Sequence, residues 1–279
     1  MNEIKSKFDS LFIFAAQVNY TSMHPLKTIH ACKSLIGIDF KNPSIVLLKW
    51  LENYLKDFSP NFLIPQISDE NIPEVITYSK LKTLINSKKE QESHEYLSYL
   101  LKIATPLSIA EYLIELSSQK SASNLLYSWC IYRTIQFLGE KDGYKLLYQC
   151  VSNLVNGNLI DKEENILKNE IKYHQFQIRS EKMIRSNKIF PLLNILINRY
   201  EQDLDENNFF VLSEFANTMI IKNKLDGIKH YINTLDIDQI SKEMIFHLDA
   251  IRSAIIFSNF SVEQIVNRSF IKLSNNDYA

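Results

Sequence analysis

The stretch SNLLYSWCIYRTIQFL, residues 123–138, decides the fold. At about 3.6 residues per turn its Leu125, Leu126, Tyr127, Trp129, Cys130, Ile131, Tyr132, Ile135 and Phe137 project all round a helix and leave no broad face for water. A helix of that kind belongs at the centre of other helices. The rest of the chain supplies them. Only five glycines occur in 279 residues, with seven prolines and long amphipathic runs between them. Glycine provides the positive-φ backbone of hairpins, dinucleotide turns and phosphate loops, and here Gly37, Gly139, Gly143, Gly157 and Gly227 fall singly near expected helix ends. The reading is an all-α fold, a compact irregular helical bundle or stacked helix pairs, of about twelve to fourteen helices by periodicity and capping.

Outward from this centre, the spacing predicts helices over 3–18, from Pro25 through Leu35, from Pro43 to about 55, and over 74–87, 91–103, 107–118, 121–138 and 141–156. The second half continues with 161–184, 188–201, 207–222, 224–234, 238–258 and 261–273. Residues 59–73, with Pro60, Pro65 and Pro73, are the one clear irregular connection. No 34-residue tetratricopeptide period fits. Residues 1–279 read as a single all-helical domain, with room for a sub-boundary near 157–161.

Charge and cysteine content narrow the setting. Thirty-one basic residues against 32 acidic ones, interspersed, give a net charge of −1, so no field is built for a phosphate backbone and nucleic acid is not an expected partner. Cys32, Cys130 and Cys150 are odd in number, lack a C-x-x-C spacing and sit in apolar helical context, as reduced cytoplasmic thiols do. Charges interrupt every apolar run before it reaches the ~18–20 residues of a membrane span, and Leu11–Val18, preceded by Asp9, is too short and too acidic at its start for a signal peptide.

Chemistry-bearing groups are sparse. Four of six histidines follow a carboxylate by four residues: Glu90/His94, Glu170/His174, Asp226/His230 and Glu243/His247. Such pairs orient metal-bound imidazoles, but equally they are ordinary exposed helix pairs. The charges around Glu90/His94 and Glu170/His174 (Lys88, Lys89, Glu92, Lys168, Lys172) favour the surface reading. No Glu-x-x-His, H-E-x-x-H or G-x-S-x-G is present. Glu111 and Glu115 share a helix face, as solvated carboxylates commonly do. Arg133 and Arg252 lie in apolar helices and need partners, for Arg252 the nearby Asp249. Tyr127, Trp129, Tyr132, Arg133, Tyr144 and Tyr148 cluster on two successive helices as core, or as the lining of a pocket for a flat apolar ligand. His247, among Ile245, Leu248, Ile251 and Ile255, is expected to point inward.

Several of these segments together resemble the questin oxidase-like family, helical oxygenases that hold a mononuclear iron with several histidines and act on aromatic polyketides. His24-Pro25-Leu26 followed by Trp50-Leu51-Glu52-Asn53-Tyr54 is similar to the family's opening Asn-His motif and the Trp-Leu-x-x-Tyr after it. Tyr127–Leu138 with Arg133-Thr134 falls at its central His-Gly-x-Ile-Arg-Thr-x-His-Ala helix, and His247–Ala254 resembles its His-x-x-Thr-x-x-His-Ala helix. The central helix here has neither histidine, Ser253 stands for the second one of the later helix, and Gln264 and Asn267 replace a final His and Lys. The resemblance thus implies a scaffold stripped of most metal ligands. Two functions stay open. The first is a non-catalytic helical protein that binds a protein partner or a small apolar ligand in a groove between helices. The second, implied by the resemblance, is a divergent oxygenase acting on an aromatic small molecule, with His24 and His247 catalytic, His30 beside them, and iron as cofactor.

Overall fold

A computed structural model describes residues 2–19, 24–64, 72–118, 120, 122–156 and 224–242, and singly 244, 245, 248, 249 and 252. These residues fall into two units, one within Asn2–Ile29 and Phe58–Leu167 and the other within His30–Asp57 and Lys168–Ala279. Residues 157–161 lie outside the described set. All regular structure among the described residues is helical, apart from a single bridge between Val18 and Pro60.

The first unit contains α1 (Asn2–Ala15), the start of α2 (Leu26–Ile36), α4 (Tyr78–Asn86), α5 (Glu90–Ile103), α6 (Pro106–Ser118), α7 (Ala122–Leu138), the short α8 (Glu140–Gly143) and α9 (Lys145–Asn156). Capping chemistry sets several starts. The Thr77 hydroxyl accepts from Lys80 N at 3.3 Å to open α4, Thr105 does the same for Ser108 N ahead of α6, and Pro106 takes the first position of that helix.

As the sequence predicts, α7 is the buried centre of this unit. It packs against α1, α6, α8 and α9, and Tyr127, Ser128, Trp129, Cys130, Ile131, Tyr132, Thr134 and Ile135 are all buried. Each fully buried large apolar side chain contributes about 1.5–3 kcal/mol, so this helix is the main source of the unit's cohesion. Phe12 of α1 meets Phe137 edge-on, with ring centroids 5.3 Å apart.

Two glycines shape the far end of α7. Gly139, at φ +88°, terminates it in the left-handed region. Gly143 lies so close to α7 that a Cβ there would stand 2.7 Å from Ile135 Cα. The helix expected over 141–156 is interrupted at Tyr144 between α8 and α9, with that residue's backbone still in the right-handed helical region.

In the second unit, α3 (Ile45–Leu55) is capped by Ser44, whose hydroxyl accepts from Leu47 N. It packs against α10 (Lys224–Thr234) and a 3-10 turn, Ile237–Gln239. Trp50 Nε1 donates to Ile240 O at 2.8 Å, and Lys229 pairs with Asp39. The helix expected over 238–258 gives way at its start to that 3-10 turn, closed by an Asp236/Gln239 capping box, and helical residues resume at 242. Arg252 bridges the buried Asp249 at 3.3 Å. The helices expected over 161–184, 188–201, 207–222 and 261–273 lie outside the described residues.

Candidate functional site

Three polar assemblies in the first unit contain most of the residues singled out above. The first surrounds His24, which is buried where the chain enters α2. Leu26 N–H donates to His24 Nδ1 at 3.2 Å, so the proton sits on Nε2, which donates to Val18 O at 3.2 Å. Tyr127 places its ring edge-on to the imidazole, centroids 5.0 Å apart, and donates its hydroxyl proton to Gln149 Oε1 at 2.7 Å. Gln149 Nε2 in turn donates to Ala16 O at 2.6 Å and Val18 O at 2.8 Å. Burial holds the His24 imidazole down to about pKa 3, against the opposing pull of the Val18 carbonyl. It is a neutral group engaged at both nitrogens.

The second assembly corrects an expectation. His94 is not a surface partner of Glu90: it is 5% exposed, with Nε2 3.1 Å from Tyr148 O and 2.9 Å from Ser152 Oγ. Burial lowers its pKa, opposed by the Tyr148 carbonyl and by the Glu90 charge. Glu90 accepts from Asn156 Nδ2 at 2.9 Å. Partial burial opposes its ionisation, but hydrogen bonds from Ser152 and Asn156 hold the carboxyl below its ordinary value. The pair is one turn of a polar seam between α5 and α9. Its charged neighbours Lys89 and Glu92 bond to each other instead.

The third assembly is an open groove of about 490 Å³ lined by Ser98, Leu101, Pro106, Glu140, Lys141, Tyr144 and Tyr148. Tyr144 and Tyr148 meet here. Tyr127, Trp129, Tyr132 and Arg133 do not line it. Trp129 stacks on Tyr132 at 5.7 Å, and the Tyr132 hydroxyl reaches Glu111 Oε1 at 3.4 Å. Trp129 Nε1 is buried with no hydrogen-bond partner among the described residues. Arg133 is half-buried and Glu115 is exposed.

Glu140 and Lys141 of α8 come to the groove beside Ser98 and Leu101 of α5 and Pro106 of α6. Tyr148 is 4% exposed; its hydroxyl has no hydrogen-bond partner among the described residues and is not one of the enclosed unpaired atoms. Burial, followed by the neighbouring Tyr144 phenol, pushes its pKa up to about 12, so it remains a proton donor. The side chains of Glu140 and Lys141 are likewise without ion-pair or hydrogen-bond partners among the described residues. Composition gives no hint of this groove. Gly139 and Gly143, which flank Glu140 and Lys141, are the nearest sequence signal.

The described residues do not fit an iron centre. No group of three or more His, Cys, Asp or Glu side chains converges among them, and His24 is committed to a carbonyl and a backbone N–H. The side chain of His247, like those of His174 and Glu243, lies outside the described residues. His30 is fully buried on α2. The three cysteines are free and buried, burial raising the thiol pKa of Cys32 and of Cys150, the latter to about 12. Among the described residues no helix is long and apolar enough to cross a membrane.

No family model, curated protein or solved structure matches the chain.

Proposed function

We propose that the chain is a non-catalytic helical protein whose first unit binds a small, largely apolar molecule in the groove formed by α5, α6, α8 and α9. The observation that carries this reading is the lining itself, in which Tyr144 and Tyr148 come together with Leu101 and Pro106 around one open groove. The volume of the groove lies in the few-hundred-Å³ range of small-molecule sites, and its mixture of Leu, Pro and Tyr with a few polar groups has their usual composition. The imidazoles support binding over catalysis: His24 and His94 are both neutral by burial and both bonded to carbonyl oxygens.

The experiment is a saturation-transfer NMR screen of the full chain with a library of aromatic and aliphatic fragments, repeated on Tyr144→Ala. Tyr144 is half-buried, so the variant keeps the parent's melting temperature within a few degrees. Hits that lose their signal in Tyr144→Ala support the reading. Hits that bind the variant unchanged, or a library without hits, overturn it.

A further inference from the structure

Resting on the groove reading, the contacts of His94 bear on how the groove is regulated. The imidazole stands on α5 and reaches across to α9. Its Nε2 lies 3.1 Å from Tyr148 O, a carbonyl that can only accept, so Nε2 carries the proton of the neutral ring. The Ser152 hydroxyl, 2.9 Å from the same nitrogen, is bonded to the Glu90 carboxylate. The ring also meets the Tyr148 ring edge-on, centroids 5.6 Å apart, and Tyr148 forms part of the groove wall. Nδ1 is the nitrogen left to take up a second proton. It has no hydrogen-bond partner among the described residues and is not one of the enclosed unpaired atoms, so water reaches it although the residue is buried. Glu90, one turn back on α5, is the charge that acts on this imidazole. From α9 the Tyr148 phenol stays neutral, and α4 and α6, which also pack on α5, bring no charge to bear on it among the described residues.

We infer that a proton on His94 Nδ1 and an apolar occupant against the Tyr148 wall oppose each other, so that the groove loads at neutral pH and empties as the medium turns acidic. An occupant displaces water from the wall, and a wall without water solvates an imidazolium less well. The coupling is reciprocal: whatever factor the proton removes from the affinity, the occupant removes from the basicity of the imidazole. Burial already holds His94 below its ordinary value of 6.5, so affinity is full above that pH and declines below it. His24, held down at about 3, stays neutral across the range.

Two measurements on the full chain test this. The probe is the tightest-binding fragment of the library that has no titrating group of its own and loses its signal in Tyr144→Ala. The first measurement needs no variant at His94: an NMR titration of its ring, recognised by contact with the Tyr148 ring, with and without saturating fragment. The midpoint should fall by about half a pH unit or more on saturation. The second is fragment affinity from about pH 7.5 down to the lowest pH at which the chain stays folded. It should weaken about threefold or more in the parent and stay level in His94→Gln, which keeps a donor for Tyr148 O and takes up no proton. An imidazole midpoint that the fragment leaves in place, or a parent affinity that holds level over the folded range, overturns the inference while the groove reading stands. Affinity that falls equally in His94→Gln overturns the assignment to His94. A library in which no uncharged fragment depends on Tyr144 overturns both readings.

Discussion

Gln149 joins three parts of the first unit at one point, giving two protons to the carbonyls of Ala16 and Val18 and taking one from Tyr127. All of these groups are buried, so each is costly to leave unmatched. Gln149→Leu should therefore destabilise by about 3–5 kcal/mol, several orphaned polar groups together, whereas Tyr127→Phe should cost only about 1–2 kcal/mol. Urea denaturation of both variants checks the ratio. Equal costs would mean that Gln149 is not the hub. The histidines add a pH dependence. The unfolded chain takes up protons on these imidazoles near the ordinary pKa of about 6.5, while the folded unit resists, His24 down to about 3. Depressed folded values make the contribution complete above pH 6.5 and drain it as pH falls, by about 1.4 kcal/mol per pH unit for His24, with a loss of the same sign from His94. Denaturation midpoints measured from about pH 7.5 down to about 4.5 should fall accordingly, and more shallowly in His94→Gln. A midpoint that holds steady contradicts the burial of these imidazoles as neutral groups. At this scale the sequence was partly legible. His94 looks solvated because Lys88, Lys89 and Glu92 surround it, yet it stands three residues before Leu97 on a helix whose Ser93, Tyr96, Leu97 and Leu100 are all buried. The apolar stripe was the better guide, since lysines and glutamates reach water from positions beside it.

Among the elements, α7 and its far end carry the most weight. Trp129 is nearly enclosed and stacked on Tyr132, so Trp129→Ala should cost about 3–5 kcal/mol, read as a lower denaturation midpoint or as loss of soluble expression. A variant that melts within a few degrees of the parent would remove α7 from the centre. Gly143→Ala makes a different point. The added methyl would meet Ile135 backbone at 2.7 Å and its side chain at 2.9 Å, and backbone cannot step aside as a side-chain tip can, so a loss of about 1–3 kcal/mol is expected. Thermal melting that is unchanged would show that α8 does not pack so closely. Helices α5 to α7 begin and end within a residue of their positions in the sequence reading, Pro106 and Gly139 being strong local signals, whereas α4 starts four residues later than expected, behind the Thr77 cap. The division between α8 and α9 was hidden for the opposite reason. Periodicity over 141–156 is unbroken by it, and Tyr144 itself keeps helical backbone angles, φ −58° and ψ −27°.

At the scale of the molecule, the all-helical class was legible from the scarcity of glycine and the all-round apolar stretch at 123–138. The site was only half legible. Tyr144 and Tyr148 were in view as aromatics, but which of six clustered residues face a groove depends on how α5, α6, α8 and α9 meet, and periodicity on one helix says nothing about its neighbours. The account turns on the claim that these two tyrosines, and not those of the core, receive a ligand. The most direct measurement is ¹⁹F NMR of the full chain labelled with 3-fluorotyrosine, with resonances assigned by single Tyr→Phe variants, and titrated with the fragments that bind. The account predicts that Tyr144 and Tyr148 shift with ligand concentration while Tyr127 and Tyr132 stay in place. Shifts confined to Tyr127 and Tyr132, or resonances that do not move at all, would contradict it.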